Sequence, residues 1–257
     1  MDKIKYTTLK LSDNSKTKFE ANIPNTFGLA WGDPSKGGTC PGSTKGAGGC
    51  CSKRSETKDS YYCYVSKMTR IYKQVGVNLQ QNTDLVREAL DSGEIVQLLR
   101  MTVLKWLLSG GLRHQYFRIH WSGDMVNEDY AIAWSKVIRE YPLVKFWMYT
   151  RSFVPSCNVL PILAECKNLS LYLSLDPVNY KEGLEAYQTY KEYKNVALCF
   201  MGNTVPEELT SEFKFIGCPE IRGKIKNEKN RGACSKCKLC MTHTDTIKLR
   251  NIQFPIH

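Results

Sequence analysis

The sequence predicts a mixed α/β fold built on a mainly parallel sheet. Three features carry that expectation. Short apolar runs alternate with amphipathic stretches along most of the 257 residues, the rhythm of βα units. No internal repeat or low-complexity tract interrupts the alternation. The composition, 42% hydrophobic and 24% charged, is that of a globular chain long enough for one large domain or two small ones.

In order, strands are expected at 26–31, 116–121, 145–150, 169–175, 196–201 and 213–217, each rich in aliphatic and aromatic residues. Helices are expected at 84–108, interrupted near Gly93, then at 128–141, about 156–166 and 182–193. In the second of these, Tyr130, Ala133, Trp134, Val137 and Ile138 recur at helical spacing and give a face that packs on a sheet. On the strand 116–121, Arg118 and His120 alternate with Ile119 and are expected to share one face.

Two stretches break the rhythm. Residues 32–62 hold Gly37, Gly38, Gly42, Gly46, Gly48 and Gly49 and are long for a loop inside a compact domain, which suits a segment ordered by a ligand. The other runs from Cys218 to His257. The chain therefore divides into a βα body, 1–217, that includes a cysteine loop at 32–64, and a C-terminal metal-binding extension, 218–257.

No run approaches the ~18 apolar residues of a membrane span, and the N-terminus lacks the apolar core of a secretory leader. Eleven cysteines without a leader imply a reducing, cytoplasmic setting, where clustered thiols are metal ligands before they are disulfides. The formal charge is +11, and residues 36–73 and 222–250 carry net +6 and +7. Basic segments beside the cysteines suit either a nucleic-acid substrate or simple electrostatic balance for metal-bound thiolates; no membrane partner is expected.

Cys234, Cys237 and Cys240 form a CxxCxxC run, with Cys218 sixteen positions before its start. Closely spaced thiols plus one remote thiol suit a second 4Fe-4S cluster or a tetrahedral Zn site, in which His243 or His257 could replace a cysteine. The N-terminal set is Cys40, the adjacent Cys50 and Cys51, and Cys63. Adjacent cysteines rarely ligate one centre together, so Cys40, Cys50 and Cys63 are the expected ligands, with Cys51 the alternative to Cys50. Three thiolates would leave a four-iron cluster one iron open, the mark of a reactive site. Cys157, Cys166 and Cys199 stand on apolar elements and read as small buried hydrophobes.

The words Ile23-Pro24-Asn25-Thr26-Phe27, Thr39-Cys40-Pro41-Gly42, Tyr62-Cys63-Tyr64, Phe117-Arg118-Ile119-His120 with Ser122-Gly123-Asp124, 146–153 (FWMYTRSF), CxxCxxC and Phe254-Pro255-Ile256-His257 resemble the phage gene product 88 domain family across nearly the whole chain. That resemblance implies a phage or prophage origin, hence a host-cytoplasmic protein, and no settled activity. The order of elements also resembles the radical S-adenosylmethionine enzymes, in which a partial (β/α)6 barrel follows its first strand with a cysteine loop holding an open-site 4Fe-4S cluster. Tyr62 stands where that group places an aromatic residue against adenine. Ser122, Gly123 and Asp124 stand where it holds the cofactor's methionine amino group. The usual CxxxCxxC loop is replaced here by wide spacings and an inserted basic segment, 52–60.

The resemblance implies S-adenosylmethionine as cofactor, an electron donor of unidentified kind, and reductive cleavage that modifies an unspecified substrate, a nucleic-acid base being one expectation. Asp124, Arg151 and Asp176, each just past a strand, are the candidate catalytic residues, and His120 is a candidate cofactor contact. Asp124 also precedes the helix 128–141 and has a second reading as its helix-start carboxylate. Two other functions fit parts of the pattern: a zinc-containing barrel transglycosylase that exchanges bases using Asp124 and Asp176, and a non-enzymatic nucleic-acid-binding protein stapled by metal.

Overall fold

The computed structural model describes residues 7–12, 24–52, 63–225, 232–243 and 246–255. Three helices precede the sheet: α1 (Tyr64–Ile71), α2 (Lys73–Asp91) and α3 (Ile95–Leu108). The remaining elements are β1 (Tyr116–Arg118), α4 (Glu128–Glu140), β2 (Lys145–Thr150), β3 (Phe153–Val154), β4 (Cys157–Asn158), α5 (Leu160–Leu163), β5 (Leu169–Leu175), α6 (Tyr180–Gln188), β6 (Val196–Met201), α7 (Glu207–Thr210), β7 (Phe215–Gly217), α8 (Ala233–Cys237) and β8 (Asn251–Phe254). Six strands form one sheet in the order β1-β2-β5-β6-β8-β7, with every neighbouring pair parallel. The fold is thus α/β on a parallel sheet, as the alternation predicts; β3 and β4 form a separate small antiparallel hairpin.

Alternation along the strands divides the interior into two layers. Phe146 and Met148 of β2, Leu169, Leu171, Leu173 and Leu175 of β5, and Val196, Leu198 and Phe200 of β6 pack with the helices in the main core. Tyr172, Ala197, Cys199 and Ile252 face the other way, into a smaller cluster that Tyr149, Cys218, Leu239, Cys240 and Phe254 complete. Both faces are covered, which explains why β5 and β6 read as nearly unbroken apolar runs.

Five local expectations change. Residues 26–31 do not form a regular strand: Thr26 makes single bridges to Ser12 and Arg118. The Arg118 amide donates to the Asn25 carbonyl at 2.9 Å, but beyond it the Trp121 amide reaches Phe27 at 2.9 Å and the Leu29 amide reaches Ser122 at 2.8 Å. The 116–122 side holds one residue too many for an even ladder, and His120 absorbs it at φ +58°. That same twist overturns the shared face of Arg118 and His120. The sixth expected strand shortens to β7 and sits at the edge, because β8, within the expected extension, inserts between it and β6. The helix expected at 84–108 is interrupted at Gly93, φ +74°, as its sequence suggests, but its first part begins eleven residues earlier, at Lys73. The helix expected at 156–166 is instead the strand β4 followed by the short α5.

Candidate functional site

The cysteine loop lies over the C-terminal ends of β2 and β5, the edge where open parallel sheets place their ligands. Its course depends on glycine. A Cβ at Gly42 would stand 1.8 Å from the Arg151 carbonyl oxygen, so only glycine lets the loop cross the end of β2 this closely. Asp176, at the end of β5, ties the loop down. Its Oδ2 accepts from Thr44 Oγ1 at 2.6 Å, from the Cys50 amide at 3.2 Å and from Arg151 at 2.5 Å, while its Oδ1 accepts from the amides of Val178 at 2.8 Å and Asn179 at 3.0 Å. Burial opposes the Asp176 charge, but Arg151 and these donors outweigh it and hold the carboxyl below its ordinary range.

Asp124 does the corresponding work at the end of β1. Oδ1 accepts from the Met125 amide at 2.8 Å and Thr150 Oγ1 at 2.7 Å, and Oδ2 accepts from the Arg151 amide at 2.7 Å. It is not the start of α4: the cap there is Asn127, whose side chain accepts from the Tyr130 amide. Burial raises the Asp124 carboxyl to about 6. Gly123, at φ +77°, brings the chain against Thr39, where an added Cβ would meet Thr39 Oγ1 at 2.5 Å. Ser122 Oγ donates to the Leu29 carbonyl at 2.9 Å. The Ser122-Gly123-Asp124 turn therefore abuts Thr39-Cys40.

Cys40, Cys50, Cys51 and Cys63 influence one another electrostatically. Burial, with Asp124 and the neighbouring thiols, pushes Cys40 upward; burial also pushes Cys63 up to about 11. Cys50 moves the other way, downward, because the Cys51 thiol 3.9 Å away, Arg151 and Thr44 stabilise its thiolate, while Cys51 is raised by the same contact. The Thr44 amide donates to Cys50 Sγ at 3.3 Å. Cys63 is the residue from which α1 starts. Tyr62 lies outside the described residues.

His120 is placed elsewhere. It packs edge-on to Phe27 and stacked on Tyr130, with Nε2 3.0 Å from the Tyr130 hydroxyl. Burial, with Arg118, lowers it to about 3, so it is a neutral core imidazole on the helix side of the sheet. Arg118 lies on the opposite side, its guanidinium 5.0 Å from the Trp147 ring centre and 5.6 Å from that of Tyr149.

That second face holds the other cysteine group. Cys218, Cys234, Cys237 and Cys240 line one cavity together with Trp147, Tyr149 and Phe254. Burial and the three companion thiols raise Cys240, whereas a hydrogen bond from Tyr149 favours its thiolate. Trp147 is 2% exposed and its buried Nε1 has no hydrogen-bond partner. Cys199 packs against Cys218 and Cys240, a neighbour hidden in the sequence because β6 reads as plain apolar strand. Cys157 and Cys166 are buried in the main core, as small hydrophobes would be. His243 does not stand in for a cysteine: Nδ1 is 2.8 Å from Ser170 Oγ and Nε2 is 2.7 Å from the Lys167 carbonyl. His257 lies outside the described residues.

All eleven cysteines are free thiols. Among the described residues, no group of three or more His, Cys, Asp or Glu side chains is placed to hold a metal ion. The thiols gather without converging on a point. No described helix is long and apolar enough to cross a membrane.

The family model described as Gene product 88 matches residues 3–243. A Gene 88 protein of Mycobacterium phage L5 is 32% identical over 222 residues, covering 85% of this chain and 83% of the relative. A Gene 88 protein of Mycobacterium phage D29 is 31% identical over 224 residues, with the same coverage. No solved structure matches. The chain belongs to the gene product 88 family.

Proposed function

We propose that this gene product 88 family chain is an iron–sulfur enzyme of the radical S-adenosylmethionine kind. The observation that supports it best is the seating of the cysteine loop: Cys40 beside Gly123-Asp124 and Cys50 fixed by Thr44, Arg151 and Asp176, all over the C-terminal ends of parallel strands. In this reading residues 24–29 serve as the first stave of a partial βα barrel whose lumen is the face bearing Arg118, Trp147 and Tyr149. Cys40, Cys50 and Cys63 would hold a 4Fe-4S cluster with one open iron. When bound, that cluster supplies the electron for reductive cleavage of S-adenosylmethionine.

The chain's own residues position and insulate. Arg151 favours the Cys50 thiolate, which a metal ligand must be. Asp176 and Asp124 fix the ends of the strands under the loop. With every carboxylate oxygen engaged, they act as positioning residues, which disfavours a transglycosylase reading that needs one as nucleophile. Cys218, Cys234, Cys237 and Cys240 would hold a second cluster.

Anaerobic purification, with iron, sulfide and zinc analysis and an assay for 5′-deoxyadenosine, tests the reading. Iron and sulfide for two clusters and reductant-dependent cofactor cleavage are expected. Cys63→Ala should abolish cleavage yet leave one spectral component, and Cys237→Ala should remove the other component. Colourless protein holding only zinc, or equal loss of all iron from either change, would overturn it.

A further inference from the structure

The surface that begins at Cys63 combines exposed cations with large exposed apolar side chains. Between Asp59 and Asp84 the sequence contains no acidic residue, but it contains Lys67, Arg70 and Lys73. All three are exposed. Interleaved with them are large side chains left open to solvent: Tyr64 at 54%, Ile71 at 59% and Tyr72 at 60%. At 100° per residue, Tyr64, Lys67, Arg70 and Ile71 fall on one side of α1, opposite the buried Val65, and Tyr72 stands at the junction with α2. A face that merely needed solvation would not expose two tyrosines and an isoleucine, and one built to pack on protein would not carry three cations that have no acidic partner among the described residues.

Cations spaced among exposed rings suit a ligand that offers anionic phosphates and flat bases together, as single-stranded nucleic acid does; a duplex hides its bases. The Tyr64 hydroxyl bonds the Trp121 carbonyl, which anchors this face to the end of β1, next to the cysteine loop. We infer that the outer face of α1 and its junction with α2 binds single-stranded nucleic acid and leads it toward the site at Cys63. That the strand is also the substrate rests on the function proposed above; that it binds here does not.

The test is fluorescence anisotropy of a labelled single strand with the full chain across a salt series, DNA and RNA in parallel. The variant with Lys67→Ala, Arg70→Ala and Lys73→Ala should bind at least about tenfold more weakly, and the slope of log affinity against log salt should flatten by about 2, roughly 0.7 for each phosphate no longer neutralised. Tyr72→Ala should weaken binding about fivefold to 150-fold, the range for removing one stacking platform. As a control, Lys136→Ala, Arg139→Ala and Lys167→Ala remove equal charge from other exposed positions and should change affinity little. Equal weakening by both triple variants would overturn the inference, since it would report bulk charge. So would no binding of strands, duplex binding as tight as single-strand binding, or binding to anionic phospholipid vesicles alone. Strand binding through α1 by a chain without iron would remove the enzyme reading and leave this one, and a cofactor-cleaving chain that ignores strands would do the reverse.

Discussion

Asp176→Asn offers a quantitative test of how the cysteine loop is held. The carboxylate is fully buried, and Arg151, 10% exposed at its side chain, lies 2.5 Å away. An asparagine keeps one acceptor, enough for the Val178 and Asn179 amides that Oδ1 now serves. Its amide nitrogen then faces Thr44, the Cys50 amide and Arg151. Thr44 can rotate to accept, but the Cys50 N–H and the guanidinium cannot. The change thus leaves a buried cation without its partner, which costs about 3–5 kcal/mol. At about 2–4 °C per kcal/mol for a chain of this size, the melting temperature should fall by roughly 6–20 °C. Calorimetry or circular dichroism at neutral pH reads it. Adding Arg151→Met removes the stranded charge and should recover at least about half of the loss. A single variant that melts within about 2 °C of the parent would refute the reasoning, because the pair would then be solvated and could not anchor the loop.

Two further changes probe the two cysteine groups separately. Gly123→Ala places a Cβ 2.5 Å from Thr39 Oγ1 at φ +77°, so it should destabilise by at least about 1–2 kcal/mol and, on the proposed reading, lower the iron that Cys40, Cys50 and Cys63 would hold; unchanged melting and unchanged iron would contradict the close seating. Tyr149→Phe and Trp147→Phe remove a donor to Cys240 and an unpartnered N–H in the cavity wall, so the reduction potential of the C-terminal component should fall in each. Electron paramagnetic resonance during a redox titration measures it, and an unmoved potential in both variants would detach these side chains from the cluster.

Much of the framework was legible because it rests on periodicity. Four of the six expected strands match the sheet closely at 145–150, 169–175 and 196–201, and at the start of 116–121, where aliphatic and aromatic side chains bury on both faces. What escaped was decided by tertiary contact. β8 has only four residues, Asn251–Phe254, and pairs because it slots between two strands, not because its pattern is strong. His120 left its expected face because one surplus residue had to be absorbed beside 26–29, an accident of register invisible in a single strand. Asp124, Arg151 and Asp176 were readable as groups at strand ends, but their bonding to the loop depends on Thr39, Thr44 and Gly42, which lie more than a hundred positions from Arg151.

The two cysteine groups share more than sequence suggests. Arg151 links them, since it interacts with Cys50 of the loop and with Cys199, whose thiol Cys240 and Cys218 raise while Arg151 and Arg118 lower it. Burial is the largest influence on Cys199, which belongs to the strand whose alternate residues build the main core. Two anionic clusters facing one sheet would repel each other, and repulsion at low dielectric is long-ranged. Arg118, stacked on Trp147 and Tyr149, and Arg151, paired with Asp176, supply positive charge along that same face. On the proposed reading these two arginines would offset negative charge that both cysteine groups acquire on loading, in addition to the pairing of Arg151 with Asp176 and Thr44.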